Sequence, residues 1–267
     1  MKSTLLALAI AGTLAACATA TSPTGRTQRV GAVPQEQLNQ MGAQAFAQAK
    51  AKLPQSTDAR QVAYVRCVVD AVLRELPAGY QSGWETAVFV DKSPNAFALP
   101  GGKIGVNTGI FSVARNQDQL AAVLAHEIGH VISRHHDERI TRQLGAQTGL
   151  GILSAVLGSQ YGQGAAQATS QIGGAAAQGF LLLPNNRAQE SEADVVGQEL
   201  MARAGFNPTE AVNLWQNMIA AGGGRAPAFL STHPNPETRI AELRNRATGL
   251  AGAYQQARQS GRRPNCG

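Results

Sequence analysis

The sequence predicts one mainly helical α+β domain with a small antiparallel sheet. Three observations support this class. The chain has 267 residues, 43% of them hydrophobic, which is enough for one substantial core. Apolar side chains recur at helical spacing in most segments. Strand-like patterns are confined to residues 84–109.

The first half of the domain alternates helices with short strands. Residues 35–52 are rich in good helix formers, and residues 58–76 carry valines at helical spacing. Residues 84–91 predict a strand. Residues 95–109 predict two short strands around a Pro-Gly-Gly turn.

The second half is predicted to be helical. Residues 117–136 carry apolar side chains around most of the circumference, which indicates a buried central helix. Residues 144–183 are rich in Gly, Ala and Gln and predict one or two weak helices, which either cover part of the site or pack as an ordinary hairpin. Further helices are expected at 186–204, at 208–221 and from Pro236 onward.

The first residues resemble a bacterial export signal. Lys2 precedes an apolar run from Leu5 to Ala16 that is too short to span a bilayer. The small residues before Cys17 resemble a lipobox, in which a signal peptidase cuts before a Cys that carries the lipid. We therefore predict a signal peptide over residues 1–16 and a lipid on Cys17, with a simply cleaved signal as the alternative.

The residues after Cys17 predict a location and a linker. Ala18 stands where an Asp usually retains lipoproteins in the inner membrane of enteric-type bacteria. Its presence favours the periplasmic face of the outer membrane, if the organism has one. Residues 17–33 are rich in Thr, Ser, Pro and Gly and predict a flexible membrane tether. The domain is expected over residues 34–250, followed by a tail over residues 251–267.

Charge and cysteine usage fit an exported protein. The net charge of +6 is compatible with anionic surfaces such as lipid headgroups, but a solvated surface is the simpler explanation. Basic residues are not clustered with aromatic ones, so nucleic acid is not an expected partner. Cys67 and Cys266 are expected to form a disulfide in an oxidising compartment, which would pin the tail. The alternative is a buried Cys67 and a free thiol in the tail.

Residues 125–136, AHEIGHVISRHH, hold four of the chain's five histidines. His126 and His130 are one helical turn apart, so their imidazoles can converge on one tetrahedral Zn²⁺ ion. Glu127 lies between them and can take the proton of a water held at the ion. His135 and His136 are expected to fall outside this site, since His135 would lie about 140° around a continuous helix from His130.

A catalytic zinc site needs a third protein ligand from elsewhere in the chain. In one large class of zinc peptidases this ligand is a Glu, and the later segment NNRAQESEADVVGQEL offers two. Glu190 is predicted as the ligand, because Asp194 one turn later can then orient a histidine ligand through its other ring nitrogen. Glu192 faces about 160° away from Asp194 and is expected to be solvated.

Four motifs together resemble a known family. AHEIGHVISRHH, RAQESEADVVGQELMARAGFNP, NAFALPGGKIGVNTGI and STHPNPETRI occur in the order found in zinc metallopeptidases of the HtpX and CAAX-prenyl-protease type, a gluzincin family. The resemblance covers residues 35–245. It is greatest to the soluble periplasmic branch that includes the lipoprotein LoiP and the catalytic domain of BepA. The helical repeats of BepA and the transmembrane helices of HtpX are not expected here.

The resemblance implies a zincin fold whose edge strand borders the active site. An extended substrate would add to this strand through backbone groups, whereas an interior hairpin is the alternative. The strand residues implied are Asn95, Ala96 and Phe97.

The resemblance also implies roles around the zinc. His233 either stabilises the oxyanion or occupies the open zinc position as an inhibitory fourth ligand, and a plain surface histidine is the third alternative. Arg239 is expected to tie its loop to an acidic neighbour. His135 is expected either to be a structural residue or to contact one of the metal-binding side chains without binding the metal itself.

These inferences predict a zinc metalloendopeptidase with one Zn²⁺ per chain. Its expected substrates are unfolded or misassembled envelope proteins, and its expected partners are the membrane, through Cys17, and the outer-membrane assembly machinery. The main alternative is a client-binding or assembly factor for outer-membrane proteins with little proteolysis. A zinc hydrolase that acts on other substrates is disfavoured by the edge-strand motif.

Overall fold

The computed structural model of the chain describes residues 18–145, 185–221 and 236–267, together with Phe229 and His233. The signal segment, Cys17 and nearly all of the Gly- and Ala-rich segment 144–183 lie outside these residues. Within the described part of the chain, no helix is long and apolar enough to cross a bilayer.

The predicted mainly helical α+β class is confirmed. The strands and helices are β1 (Ala18–Thr21), β2 (Thr27–Val30), α1 (Gln35–Lys52), α2 (Ala59–Leu73), β3 (Glu85–Phe89), β4 (Ala96–Leu99), β5 (Lys103–Asn107), α3 (Gln117–Ile132), α4 (residues 135–145), α5 (Arg187–Ala204), α6 (Glu210–Ala221) and α7 (Pro236–Gln259). Short 3-10 turns lie at Ala78–Tyr80 and Thr108–Ser112.

The central sheet is mixed, so the expectation of a purely antiparallel sheet was wrong. Its order is β3-β5-β4, with β3 parallel and β4 antiparallel to β5. The turn between β4 and β5 contains Gly101 and Gly102, which both have positive φ, as tight hairpin turns often require. Because β5 returns between the two earlier strands, β4 lies at an edge of the described sheet.

The central helix ends earlier than its sequence pattern indicates. Helix α3 is buried from Gln119 to His130 and ends at Ile132. Ser133 and Arg134 form a turn, and Arg134 has a φ of 56°, after which α4 begins. This break redirects His135 and His136 away from the positions that a continuous helix would give them.

Helix α5 packs closely against α3. A capping box of Asn186 and Gln189 starts α5, and the left-handed Gly205 ends it. At the contact with α3, a Cβ on Gly197 would lie 2.9 Å from the backbone nitrogen of His126. The two helices can therefore approach this closely only because Gly197 lacks a side chain.

The N-terminal segment predicted as a flexible tether is instead a hairpin. Strands β1 and β2 pair antiparallel from Ala18↔Val30 to Thr21↔Thr27. The Thr, Ser, Pro and Gly residues that suggested a linker include the turn of this hairpin, where Gly25 has a φ of 87°.

The predicted tail is partly helical. Helix α7 continues to Gln259, beyond the boundary expected at residue 250. Cys266 forms a disulfide with Cys67 of α2, and its backbone N–H donates to Gln117 Oε1 over 2.9 Å. The end of the chain is therefore attached to α2 and to the start of α3.

Candidate metal centre

Four buried side chains from three parts of the chain lie close together near strand β4. Helix α3 supplies His126 and His130, α5 supplies Glu190, and His233 completes the group. One possible ligand atom from each lies within 4.8 Å of all the others, so the group could hold a metal ion. The Nε2 atoms of His126 and His130 are 3.0 Å apart. The Glu190 carboxylate lies 3.5 and 3.4 Å from these two nitrogens.

The ring of His126 is oriented by a buried carboxylate. Its Nδ1 lies 2.9 Å from Asp194 Oδ1. Arg239 donates to both Asp194 oxygens over 2.6 and 2.7 Å. Burial alone would raise the pKa of Asp194, but Arg239 lowers it below its usual value. An ionised Asp194 accepts the Nδ1 proton, so the lone pair of Nε2 faces the cluster.

Arg239 also holds Glu190. Its Nη1 donates to Glu190 Oε2 over 2.7 Å, and its guanidinium lies 3.9 Å from the centre of the Trp215 ring. Arg239 was expected to tie a loop to one acidic neighbour, but it lies on α7 and contacts two carboxylates, Asp194 and Glu190.

The ring of His130 has a different partner. Its Nδ1 lies 2.7 Å from His135 Nδ1, and His135 Nε2 lies 3.1 Å from Glu192 Oε2. Glu192 is only 4% exposed, so the expectation that it is solvated was wrong. The turn at Arg134 brings His135 beneath His130, and α4 and the β1–β2 hairpin cover the side of α5 that carries Glu192.

The pKa shifts of the three side chains indicate that their lone pairs converge on a space that suits a positive charge. Burial alone would lower the pKa of His126, but hydrogen bonds with Asp194 and Glu190 raise it to about 9. Burial lowers the pKa of His130 well below its usual value. Burial disfavours the charged form of Glu190, yet the surrounding histidines hold its pKa well below the usual range. An added proton on His126 would interact with the lone pairs of the neighbouring side chains. A metal cation bound among these side chains would interact with the same lone pairs, so the residues fit a metal ion.

Glu127 lies beside the cluster with one oxygen unused. Its Oε2 accepts a hydrogen bond from the Ala98 N–H over 3.2 Å. Among the described residues its buried Oε1 has no hydrogen-bond partner, although His233 Nε2 lies 3.3 Å away. Burial raises the pKa of Glu127. An unpaired buried oxygen at this place suits a water molecule held between the carboxylate and an ion.

His233 occupies the remaining side of the cluster. Its Nδ1 is 3.0 Å from both Glu190 oxygens and 3.2 Å from His126 Nε2. Its ring stacks on Phe229 with the ring centres 4.1 Å apart. This buried position excludes the surface alternative, and it leaves both the oxyanion and the fourth-ligand roles open.

A cleft of about 200 Å³ runs between the cluster and β4. In the antiparallel pair with β5, Asn95 accepts from the Asn107 N–H, so the backbone groups of Ala96 and Ala98 point outward. Of the predicted strand residues Asn95, Ala96 and Phe97, only Ala96 therefore offers its backbone to the cleft. The Phe97 ring packs over Gly105 instead. Ala98 was missed because the pairing register is not visible in the sequence.

Together these features define a zincin-type metallopeptidase. An HExxH helix and a glutamate from a second helix form a buried group that could hold a metal ion, next to a short sheet. The model of peptidase family M48 matches residues 59–247, and the chain belongs to this family. The family membership expected from the motifs is thus confirmed at the level of M48 peptidases.

Curated relatives come from both mitochondria and bacteria. The mitochondrial metalloendopeptidase OMA1 of Schizosaccharomyces pombe is 42% identical over 164 residues, which cover 60% of this chain and 45% of the relative. The Arabidopsis thaliana protein of the same name is 35% identical over 58% of this chain and 30% of its own. The beta-barrel assembly-enhancing protease of Escherichia coli is 34% identical over 169 residues, covering 58% of this chain and 33% of the relative. The chain thus spans less than half the length of these relatives.

Proposed function

We propose that this protein is a membrane-anchored zinc metalloendopeptidase that degrades unfolded or misassembled envelope proteins. The observation that carries the proposal is the position of Glu127. Its free oxygen faces the cluster of His126, His130 and Glu190, while its other oxygen is held by the edge strand.

One Zn²⁺ ion per chain suits this donor set. Two neutral imidazoles and a carboxylate are the protein ligands of many catalytic zinc sites, and both rings have their Nδ1 side occupied. When bound, zinc supplies a Lewis acid that polarises a carbonyl and lowers the pKa of water towards ~7. His126, His130 and Glu190 would hold the ion.

Glu127 is placed to move the protons of peptide hydrolysis. Its Oε1 would take a proton from the attacking water and later deliver it to the leaving amine. The raised pKa of the buried carboxyl favours this exchange at neutral pH. The Ala98 N–H fixes the other oxygen, so the carboxylate stays oriented towards the cleft.

The substrate would bind as an added strand along β4. Ala96 presents outward backbone groups, and Ala98 adds its carbonyl, since its N–H is held by Glu127. A peptide chain can pair with such groups whatever its side chains are. This mode of binding requires an extended segment, which unfolded proteins supply and folded ones do not. It supports broad specificity for unfolded clients.

The envelope location is proposed from the first residues and from one relative. The lipobox-like sequence before Cys17 supports a lipid anchor on the periplasmic face of an outer membrane. The Escherichia coli relative is named a beta-barrel assembly-enhancing protease, which supports outer-membrane assembly machinery as a partner. The likeness to mitochondrial relatives supports the peptidase activity and is neutral on the location.

Replacing Glu127 by Gln tests the mechanism. We expect the zinc-loaded variant to cleave unfolded casein at least 100-fold more slowly, because the general base is lost. Glu199→Gln on the exposed side of α5 is the matched control and should cleave at the parent rate. Equal cleavage by parent and Glu127→Gln, at equal zinc content, would overturn the mechanism.

The position of His233 favours a second candidate function. With His233 as a fourth ligand the site would be closed, and the protein would act mainly by binding clients during outer-membrane protein assembly. In that case Glu127→Gln should still rescue the envelope defect of a deletion strain. Loss of rescue would favour the peptidase.

A further inference from the structure

The β1–β2 hairpin is fastened to the helices that surround the metal centre. Arg26 donates two parallel hydrogen bonds to Glu138 of α4 over 2.7 and 2.8 Å, and its Nε donates to Glu192 of α5 over 2.9 Å. The Thr24 hydroxyl donates to the other Glu192 oxygen over 2.6 Å. Both oxygens of Glu192 are therefore held from the hairpin.

The hairpin is also joined to α4 through its backbone. The Gly31 N–H donates to Asp137 over 2.8 Å, and the Ala32 N–H donates to Thr141 over 3.1 Å. These contacts continue the attachment past the end of β2. They place Arg26 at a defined position relative to α4 and α5.

Glu192 connects the hairpin to a metal ligand. Its two oxygens accept hydrogen bonds from Thr24 and Arg26, and Oε2 also lies 3.1 Å from His135 Nε2, so the carboxylate accepts the His135 Nε2 proton. His135 is then left with a lone pair on Nδ1, which can accept only from His130 Nδ1. His130 consequently presents the lone pair of Nε2 to the centre of the cluster.

We propose that Arg26 is a positioning residue for the metal centre, acting through Glu192 and His135 on the tautomer and orientation of His130. The inference rests on the proposed metal site. Arg suits this position because its planar fork can bind Glu138 with two nitrogens while its Nε reaches Glu192. Without Arg26, Glu192 keeps only Thr24 and His135 among these contacts.

The test compares two arginines on the same hairpin. Arg26→Gln and Arg29→Gln remove the same charge, but the Arg29 side chain is exposed. Zinc dissociation constants are measured by chelator competition, and the absorption spectrum of the Co²⁺-loaded protein reports the ligand geometry. We expect Arg26→Gln to weaken zinc binding about 10-fold and to change the Co²⁺ spectrum. Arg29→Gln should stay within about twofold of the parent.

Two further variants separate positioning from folding. Arg26→Lys keeps a cation near Glu192 and should recover part of the affinity. If Arg26→Gln does not fold, Thr24→Val removes one hydrogen bond to Glu192 and should weaken zinc binding about threefold. Parent-like affinity and Co²⁺ spectra in Arg26→Gln, or in Thr24→Val where Arg26→Gln is unfolded, would overturn the inference. A parent that binds no zinc would instead overturn the proposed metal site.

Discussion

His126 and His130, the proposed ligand histidines, have different partners on their Nδ1 atoms. His126 meets an ionised carboxylate, Asp194, whereas His130 meets the neutral ring of His135. A carboxylate makes the imidazole more basic than a neutral partner does. His126 should therefore be the stronger donor to the metal, while His130 depends on the alignment of a longer chain of hydrogen bonds.

Asp194→Asn tests the role of the carboxylate at His126. The amide can donate to His126 Nδ1, which would place the ring proton on Nε2, towards the ion. We expect zinc affinity to fall by about 10–100-fold in chelator competition. Glu199→Gln, an exposed change on the same helix, should bind zinc like the parent. Unchanged affinity in Asp194→Asn would mean that the carboxylate does not set the tautomer.

Residue spacing predicted the inner part of this site and missed its outer part. The placement of His126, Glu127 and His130 relative to one another follows from the period of a helix, which depends only on local sequence. Glu190 was assigned from the ligand type of one class of zinc peptidases and from its spacing to Asp194. The exposure of Glu192 was predicted wrongly, because helix period shows on which face of a helix a residue lies but not which other segment packs on that face. Its cover comes from Arg26, 166 residues earlier in the chain.

At the scale of elements, the contact between α3 and α5 sets the distance between Glu190 and the two histidines of α3. Gly197 allows the backbone of α5 to lie against His126, and Glu190 lies two turns before it on the same helix. A larger residue at this contact would separate the two helices and move Glu190 away from the histidines.

Gly197→Ala is therefore expected to be harmful although alanine favours helices. The added Cβ would meet backbone atoms of α3, and such overpacking costs about 1–3 kcal/mol of unfolding free energy. Gly249→Ala on α7 is the matched control, because a Cβ there meets nothing within 4 Å. It should leave stability unchanged or raise it by up to about 1 kcal/mol. Urea titration measures the unfolding free energy of both variants. Similar unfolding free energies for Gly197→Ala and Gly249→Ala would contradict the packing argument.

The sequence predicts single elements better than their pairing. The bounds of α1 agree with residues 35–52, and the strands of residues 95–109 occur around the expected turn. The parallel pairing of β3 with β5 was missed because it joins strands that are not consecutive. The end of α3 was placed too late, because an apolar pattern continues across the turn at Arg134.

At the scale of the whole molecule, the disulfide links helix α2 to the last residues of the described chain. Cys67 and Cys266 are 199 residues apart and join α2 to the segment after α7. A cross-link over such a separation removes many conformations from the unfolded chain. Its effect should therefore appear in global stability more than in the geometry of the metal centre.

Cys266→Ser should lower the unfolding free energy by about 2–5 kcal/mol. Cys67→Ser should cause a similar loss, and the double variant should lose no more than either single variant, because one bond is absent in all three. Denaturant titration measures each value. Additive losses in the double variant would show that the cysteines contribute separately.

The first strand begins at Ala18, the residue after Cys17. A flexible tether of about 16 residues would have a root-mean-square length of about 20–24 Å, enough for the domain to move freely above a membrane. A hairpin that is hydrogen-bonded to α4 and α5 does not allow the domain to move in this way. If Cys17 carries the lipid, as we propose, the domain rests on the bilayer surface. The proteins within its reach are then those that come within one domain diameter of the membrane.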